Sequence, residues 1–179
     1  LGSYLDTGYA SINEILSKLR KIYCLSIGAE YMHIVETAEK RWIQQKLEPF
    51  AGNFPLEKNE KIQLLHCVIA ANSLEQHLHK KYVGQKRFSL EGGESSIALL
   101  DTLLVEAGKN QVKECVIGMA HRGRLNVLVN IVGKSPSDLF DEFEGKSIHD
   151  DRSGDVKYHL GYSSDIKTPN GPVHVTLAF

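Results

Sequence analysis

Residues 115–132 read Cys115-Val116-Ile117-Gly118-Met119-Ala120-His121-Arg122-Gly123-Arg124-Leu125-Asn126-Val127-Leu128-Val129-Asn130-Ile131-Val132. The opening apolar run predicts a buried strand over 113–119. The apolar-rich run after Arg124 predicts a helix, and Gly133 ends it. His121, Arg122 and Arg124 therefore fall where a strand gives way to a helix. In open α/β sheets, ligands bind outside the carboxyl ends of strands. A helix starting there offers free N–H groups and a positive dipole end to an anion. Two readings stay open at this point. The turn is an anion site, or its arginines are a solvated surface and His121 is structural.

Working outward, Lys86-Arg87-Phe88-Ser89-Leu90-Glu91-Gly92-Gly93-Glu94 leads into a predicted helix over 95–107. Gly108 would close it as a left-handed cap. Beyond Gly133, Ser135-Pro136-Ser137-Asp138 starts another helix, with Ser at N-cap, Pro at N1 and Asp at N3. Leu139, Phe140 and Phe143 lie on that helix. Residues 144–157 are polar and read as a long loop, and a final strand runs from Val173 to Phe179. Helix, strand, helix, helix, loop and strand make part of an α/β sheet. Two strands do not make a covered sheet, so the expected domain is incomplete.

Residues 1–85 read as all-helical. Ile12, Ile15, Leu16 and Leu19 mark a helix over 11–20. A second helix starts near Thr37, carries Trp42, Ile43 and Leu47, and stops near Pro49. A third covers 57–71, with Ile62, Leu65 and Ile69 on one stripe. Asn72-Ser73 would break it, and Ser73 with Gln76 forms a capping-box pattern for a fourth. Gly84 terminates that helix, and His77 and His79 are expected at its surface. The implied division is a helical region over 1–85 and an α/β region over 86–179.

Composition narrows the function. The chain has 179 residues, 42% hydrophobic and 24% charged, the balance of a globular protein. Its formal net charge of −1 gives no electrostatic case for nucleic acid or an anionic membrane. No run approaches the length of a membrane span. Cys24, Cys67 and Cys115 are scattered and odd in number, which favours a reducing compartment over disulfides or a zinc site.

A second polar cluster, Gly154-Asp155-Val156-Lys157-Tyr158-His159-Leu160-Gly161-Tyr162-Ser163-Ser164-Asp165, reads as a pocket wall or an ordinary surface loop. Together with Lys86–Glu94, Gly118–Leu128, Asp138–Phe143, Glu30–Ile34 and Lys40–Gln45, its part Gly154–Gly161 forms an ordered series of blocks. That series resembles the thiamin-diphosphate-dependent E1 components of 2-oxoglutarate dehydrogenase complexes, over nearly the whole chain from about residue 20. The resemblance implies the first part of a thiamin-diphosphate-binding α/β domain with a parallel sheet, truncated here. It implies that Arg122 contacts the cofactor and that His121 and His159 are catalytic histidines facing the 2-oxo acid. Ser163 and His174 match further substrate-binding positions. Mg²⁺ is implied as a second cofactor, with its ligands outside this chain.

The implied activity is decarboxylation of 2-oxoglutarate and transfer of the succinyl group to the lipoyl group of the E2 dihydrolipoyl succinyltransferase. The implied parent is a homodimer in the bacterial cytoplasm or mitochondrial matrix, and the isolated chain is expected to be inactive. A 2-oxo acid such as 2-oxoadipate is the alternative substrate. A non-catalytic helical assembly or docking module is the alternative class. The chemistry suits the residues. Histidine donates to carboxylates and developing alkoxides near neutral pH, and the arginine fork fits a pair of diphosphate oxygens.

Overall fold

A computed structural model describes residues 11–50, 55–146, 159 and 161–178. The chain divides into two compact units, residues 1–58 and 59–179.

In the first unit, α1 (Ile12–Tyr23) begins at a capping box. Ser11 Oγ accepts from the Glu14 amide at 3.3 Å, and Glu14 Oε2 accepts from the Ser11 amide at 2.7 Å. The helix α2 (Thr37–Leu47) continues into a 3-10 turn, Glu48–Phe50. Tyr31 Oη donates to Tyr23 Oη at 3.1 Å, which donates to Glu48 at 2.7 Å. The expected apolar side of α2 is not a core face. None of its residues is buried, and Trp42 is exposed.

The second unit opens with α3 (Lys58–Lys81), a single helix of 24 residues. The expected break at Asn72-Ser73 does not occur. Both residues are exposed mid-helix, so the capping pattern of Ser73 and Gln76 has no free helix end to serve. The buried face is also not the predicted one. Cys67, Ala71, Leu74, Glu75 and Leu78 face the core, while Ile62, Leu65 and Ile69 are exposed.

After α3 come α4 (Ser95–Lys109), β1 (Glu114–Ile117), α5 (Arg124–Asn130), α6 (Pro136–Phe143), β2 (Tyr162–Thr168) and β3 (Gly171–Leu177). The start of α6 is as read: Ser135 Oγ accepts from the Ser137 amide at 3.2 Å with Pro136 in the first turn. At the other end of α6, Glu144 accepts from Lys81, Lys146 and Tyr82. These donors, Lys146 foremost, hold its carboxyl down at about 2.

The strands form a mixed sheet in the order β1-β3-β2. β1 is parallel to β3, and β2 is antiparallel to it. The sheet is therefore not the all-parallel one expected. The strand β2 was not expected: it begins inside the 154–165 cluster, beyond the loop read over 144–157, and residues 147–158 and Leu160 lie outside the described residues. The predicted strand over 113–119 shrinks to four residues and is not buried, with Val116 73% exposed. It is an edge strand, and the pleat sends Val116 to the open face and Cys115 and Ile117 inward. Val173, Val175 and Leu177 of β3 are fully buried and join the core with Leu125, Val127, Leu128 and Leu139.

Gly108 lies inside α4 rather than beyond its end, and the left-handed residue is Gln111, with φ of 62°. What Gly108 provides is close approach. A Cβ there would come within 2.8 Å of Thr168 Cβ on β2. Thr168 is pinned by its hydroxyl bond to the Gly171 carbonyl at 2.6 Å. Overpacking costs about 1–3 kcal/mol, against about 1 kcal/mol gained by alanine over glycine within a helix. Gly108→Ala is therefore expected to lower the urea midpoint, and an unchanged or higher midpoint would refute the close-packing account.

Candidate functional site

β1 ends at Ile117, and the chain turns through Gly118-Met119-Ala120-His121-Arg122-Gly123 into α5. The turn is fixed from the side by the 86–94 segment. The Gly123 amide donates to the Phe88 carbonyl at 2.8 Å. Arg122 Nη2 donates to the Glu91 carbonyl at 2.9 Å. Gly123 has φ of 75°, and a Cβ there would run into the Leu90 side chain. Both facts demand glycine.

His121 is half-buried. The Phe88 ring lies 4.7 Å from its ring, centroid to centroid. On another side stands His159, whose ring meets it edge-on at 4.8 Å and 87°. The two histidines quoted from separate polar clusters are thus neighbours, and His159 is exposed.

The two arginines of the turn have opposite fates. Arg122 is exposed. Arg124 is 1% exposed and donates from Nη2 to the Ala178 carbonyl at 2.5 Å. It ties the turn to main chain at the end of β3. Burial pushes its pKa down from the usual arginine value.

The helix start is not open to an anion either. α5 has only seven residues, and its first turn, Arg124, Leu125 and Asn126, is buried. The exposed cationic group of this turn is the Arg122 guanidinium, whose Nη2 donates to the Glu91 carbonyl.

Ser163 and His174 lie on the outer face of the sheet. Ser163 is paired with Thr176 near the carboxyl end of β3. His174 is paired with Glu114 at the amino end of β1, opposite the end from which the turn leaves. Its Nδ1 lies 2.7 Å from Asp165 Oδ1. The fold brings His121 and His159 together and leaves His174 with a different partner.

Residues that hold the turn were not singled out from sequence. Glu75 is 2% exposed. Its Oε1 accepts from the Leu90 amide at 3.1 Å and Asn126 Nδ2 at 3.2 Å. Its Oε2 accepts from Arg87 Nη1 at 2.8 Å and Ser89 Oγ at 2.9 Å. Asn126 also donates to the Ala71 carbonyl and accepts from Asn130. The available signal was a carboxylate one turn from Ala71 and beside Leu74 and Leu78, on the buried phase of α3.

Among the described residues, no group of three or more His, Cys, Asp and Glu is placed to hold a metal ion. Nor is any described helix long and apolar enough to cross a membrane.

No family model matches the chain. Individual relatives do. The chain is 55% identical over 99% of its length to the 2-oxoglutarate dehydrogenase E1 component of Cupriavidus necator. It is 49% identical over 98% to the protein of the same name from Azotobacter vinelandii, and 49% over 98% to that from Coxiella burnetii. It spans 19% of the length of each of these relatives.

Proposed function

We propose that this chain, homologous over nearly its whole length to a portion of the 2-oxoglutarate dehydrogenase E1 components, forms one wall of the active site of such an enzyme. The observation that carries the reading is 55% identity sustained across 99% of the chain. The meeting of His121 and His159 supports it, because two well-separated polar segments converge on one spot. The whole protein would decarboxylate 2-oxoglutarate and pass the succinyl group to the lipoyl group of a succinyltransferase. A second copy of the chain and that transferase are the proposed partners, and the bacterial sources of the relatives favour a cytoplasmic setting.

The described residues fit part of a thiamin diphosphate site. Arg122 presents an exposed guanidinium on a turn whose backbone is pinned at Phe88 and Glu91. It would hold an oxygen of the diphosphate. Thiamin diphosphate supplies the electron sink that decarboxylation of a 2-oxo acid requires. Mg²⁺ would take its ligands from elsewhere in the protein.

His121 and His159 donate hydrogen bonds to a carboxylate of the substrate or to the oxygen on which charge develops. A preorganised donor of this kind is worth about 3 kcal/mol. Phe88 and the His159 ring restrict the His121 imidazole, so less ordering remains to be done when substrate arrives. Phe88 also covers one side of His121 with apolar surface, which keeps water from that side of the ring.

The test is turnover in the full-length protein. Release of CO₂ from 2-oxoglutarate should depend on thiamin diphosphate and Mg²⁺. No turnover, or a clear preference for 2-oxoadipate, would refute the substrate assignment. Arg122→Ala should mainly weaken the cofactor. Loss of a charge-assisted hydrogen bond costs about 1.5–3 kcal/mol, which is a roughly tenfold or greater rise in cofactor Kd. Arg122→Lys should recover only part of this, since an ammonium lacks the planar fork. The measurement is a thiamin diphosphate titration of the apo-protein. An unchanged half-saturation point for Arg122→Ala would show that this arginine does not hold the cofactor.

A further inference from the structure

We infer that Glu75, buried in the middle of α3 and remote in sequence from the turn, is a positioning residue that sets the orientation of His121 and Arg122. Its carboxylate is shared between the two pieces of chain that make the site. Oε1 takes one bond from Leu90 in the 86–94 segment and one from Asn126 in α5. A single oxygen thereby ties the segment to the helix that follows the turn. Oε2 takes bonds from Arg87 and Ser89, the residues on either side of Phe88.

That bracket matters because Phe88 has φ of 44°, a left-handed conformation that bulky residues rarely adopt. Strain of this kind persists only where the surroundings over-determine the backbone. Here they do. Arg87 and Ser89 are held from below by Glu75, and the Phe88 carbonyl is held by the Gly123 amide. The outcome is a Phe88 ring against the His121 imidazole.

A second path runs to Arg122. Arg87 Nη2 reaches Glu91 Oε1 at 3.3 Å, and the Glu91 carbonyl receives the Arg122 guanidinium. A buried carboxylate with four hydrogen bonds to the parts around one turn does more than fill the core. A well-packed apolar residue would serve stability as well or better, but it would leave Phe88 and the turn free to relax.

The role rests on the reading of His121 as a substrate-facing residue, so the experiment separates the two claims. In the full-length protein, Glu75→Gln keeps the shape. It turns one acceptor into a donor, facing either Arg87 and Ser89 or Leu90 and Asn126. It should lower kcat/KM for 2-oxoglutarate roughly tenfold to a hundredfold, the scale of a small misplacement of reacting groups. Combined with His121→Ala it should add little to the loss from His121→Ala alone, because both remove the same oriented imidazole. Glu75→Asp, which keeps the charge, should recover part of the activity.

Diethylpyrocarbonate modification, mapped by mass spectrometry, gives a readout independent of turnover. His121 should be modified faster in Glu75→Gln, while His174 keeps its wild-type rate. If Glu75→Gln fails to fold, Ser89→Ala, which removes one of the four bonds to Glu75 and the bond Ser89 Oγ accepts from the Glu91 amide, should show the same pattern in milder form. If His121→Ala alone leaves turnover unchanged but Glu75→Gln still speeds modification of His121, the site reading fails and the positioning stands. Multiplicative losses in the double variant, with an unchanged His121 modification rate in folded protein, would overturn the positioning role.

Discussion

Replacing His121 with alanine in the full-length protein is expected to lower kcat/KM for 2-oxoglutarate by about a hundredfold, and His159→Ala by a similar factor. On the proposed reading, each removes an oriented donor beside a group that gains negative charge as the reaction proceeds. The two rings touch edge to face at 4.8 Å, so each also fixes the other. The double variant should therefore lose less than the product of the single losses, as for any residues that act as a unit. His77 is the control. It sits on the exposed side of α3 with its ring 4.6 Å from Phe140, and no site residue touches it in the described structure. His77→Ala should leave the kinetics within about twofold. If either His121→Ala or His159→Ala behaved like His77→Ala, that histidine would be structural.

The turn between β1 and α5 shows how much of the site a sequence discloses. Strand, turn and helix were each legible from the apolar runs that flank His121, and the cap at Ser135 was legible from residue types alone. The distinction between Arg122 and Arg124 was not. They are the same residue two positions apart, but Arg122 stands in the turn before the Gly123 cap and meets solvent, while Arg124 opens α5 at a phase that takes it to the end of β3. Phase within a short helix depends on what packs against it, which local pattern does not encode.

β2 was missed for a related reason. Its alternation is real, with Tyr162, Ser164, Ile166 and Thr168 turned inward and Ser163, Asp165 and Lys167 outward. Three of the four inward side chains, Tyr162, Ser164 and Thr168, carry hydroxyls, however, so the hydrophobic period is weak. Ser164 is accommodated because its hydroxyl donates to the Val132 carbonyl. The better signal was Pro169-Asn170-Gly171, a turn cluster placed before an apolar strand. Glu75 was hidden by the opposite prejudice: a glutamate on a helix reads as surface until its partners are known.

The largest stability effect is expected on α3, where two leucines separate the predicted apolar stripe from the observed one. Leu78 is 1% exposed and Leu65 is 57% exposed. Ile62, Leu65 and Ile69 satisfy a helical period, but so do Cys67, Ala71, Leu74 and Leu78, about half a turn around the helix. Periodicity alone cannot choose between two stripes on one long helix. The choice is made by the neighbours: Tyr82 stacks on Phe143 at 4.7 Å, and α5 and α6 supply Leu125, Leu128 and Leu139 to the same core. Leu78→Ala should therefore destabilise the chain by about 2–5 kcal/mol, the transfer and cavity cost of a buried leucine. Leu65→Ala should fall within about 0.5 kcal/mol, as surface substitutions do. Urea unfolding of the two variants measures the difference directly. Equal losses, or a larger loss at Leu65, would mean that the Ile62-Leu65-Ile69 stripe is buried in solution and that α3 is rotated from the orientation described here.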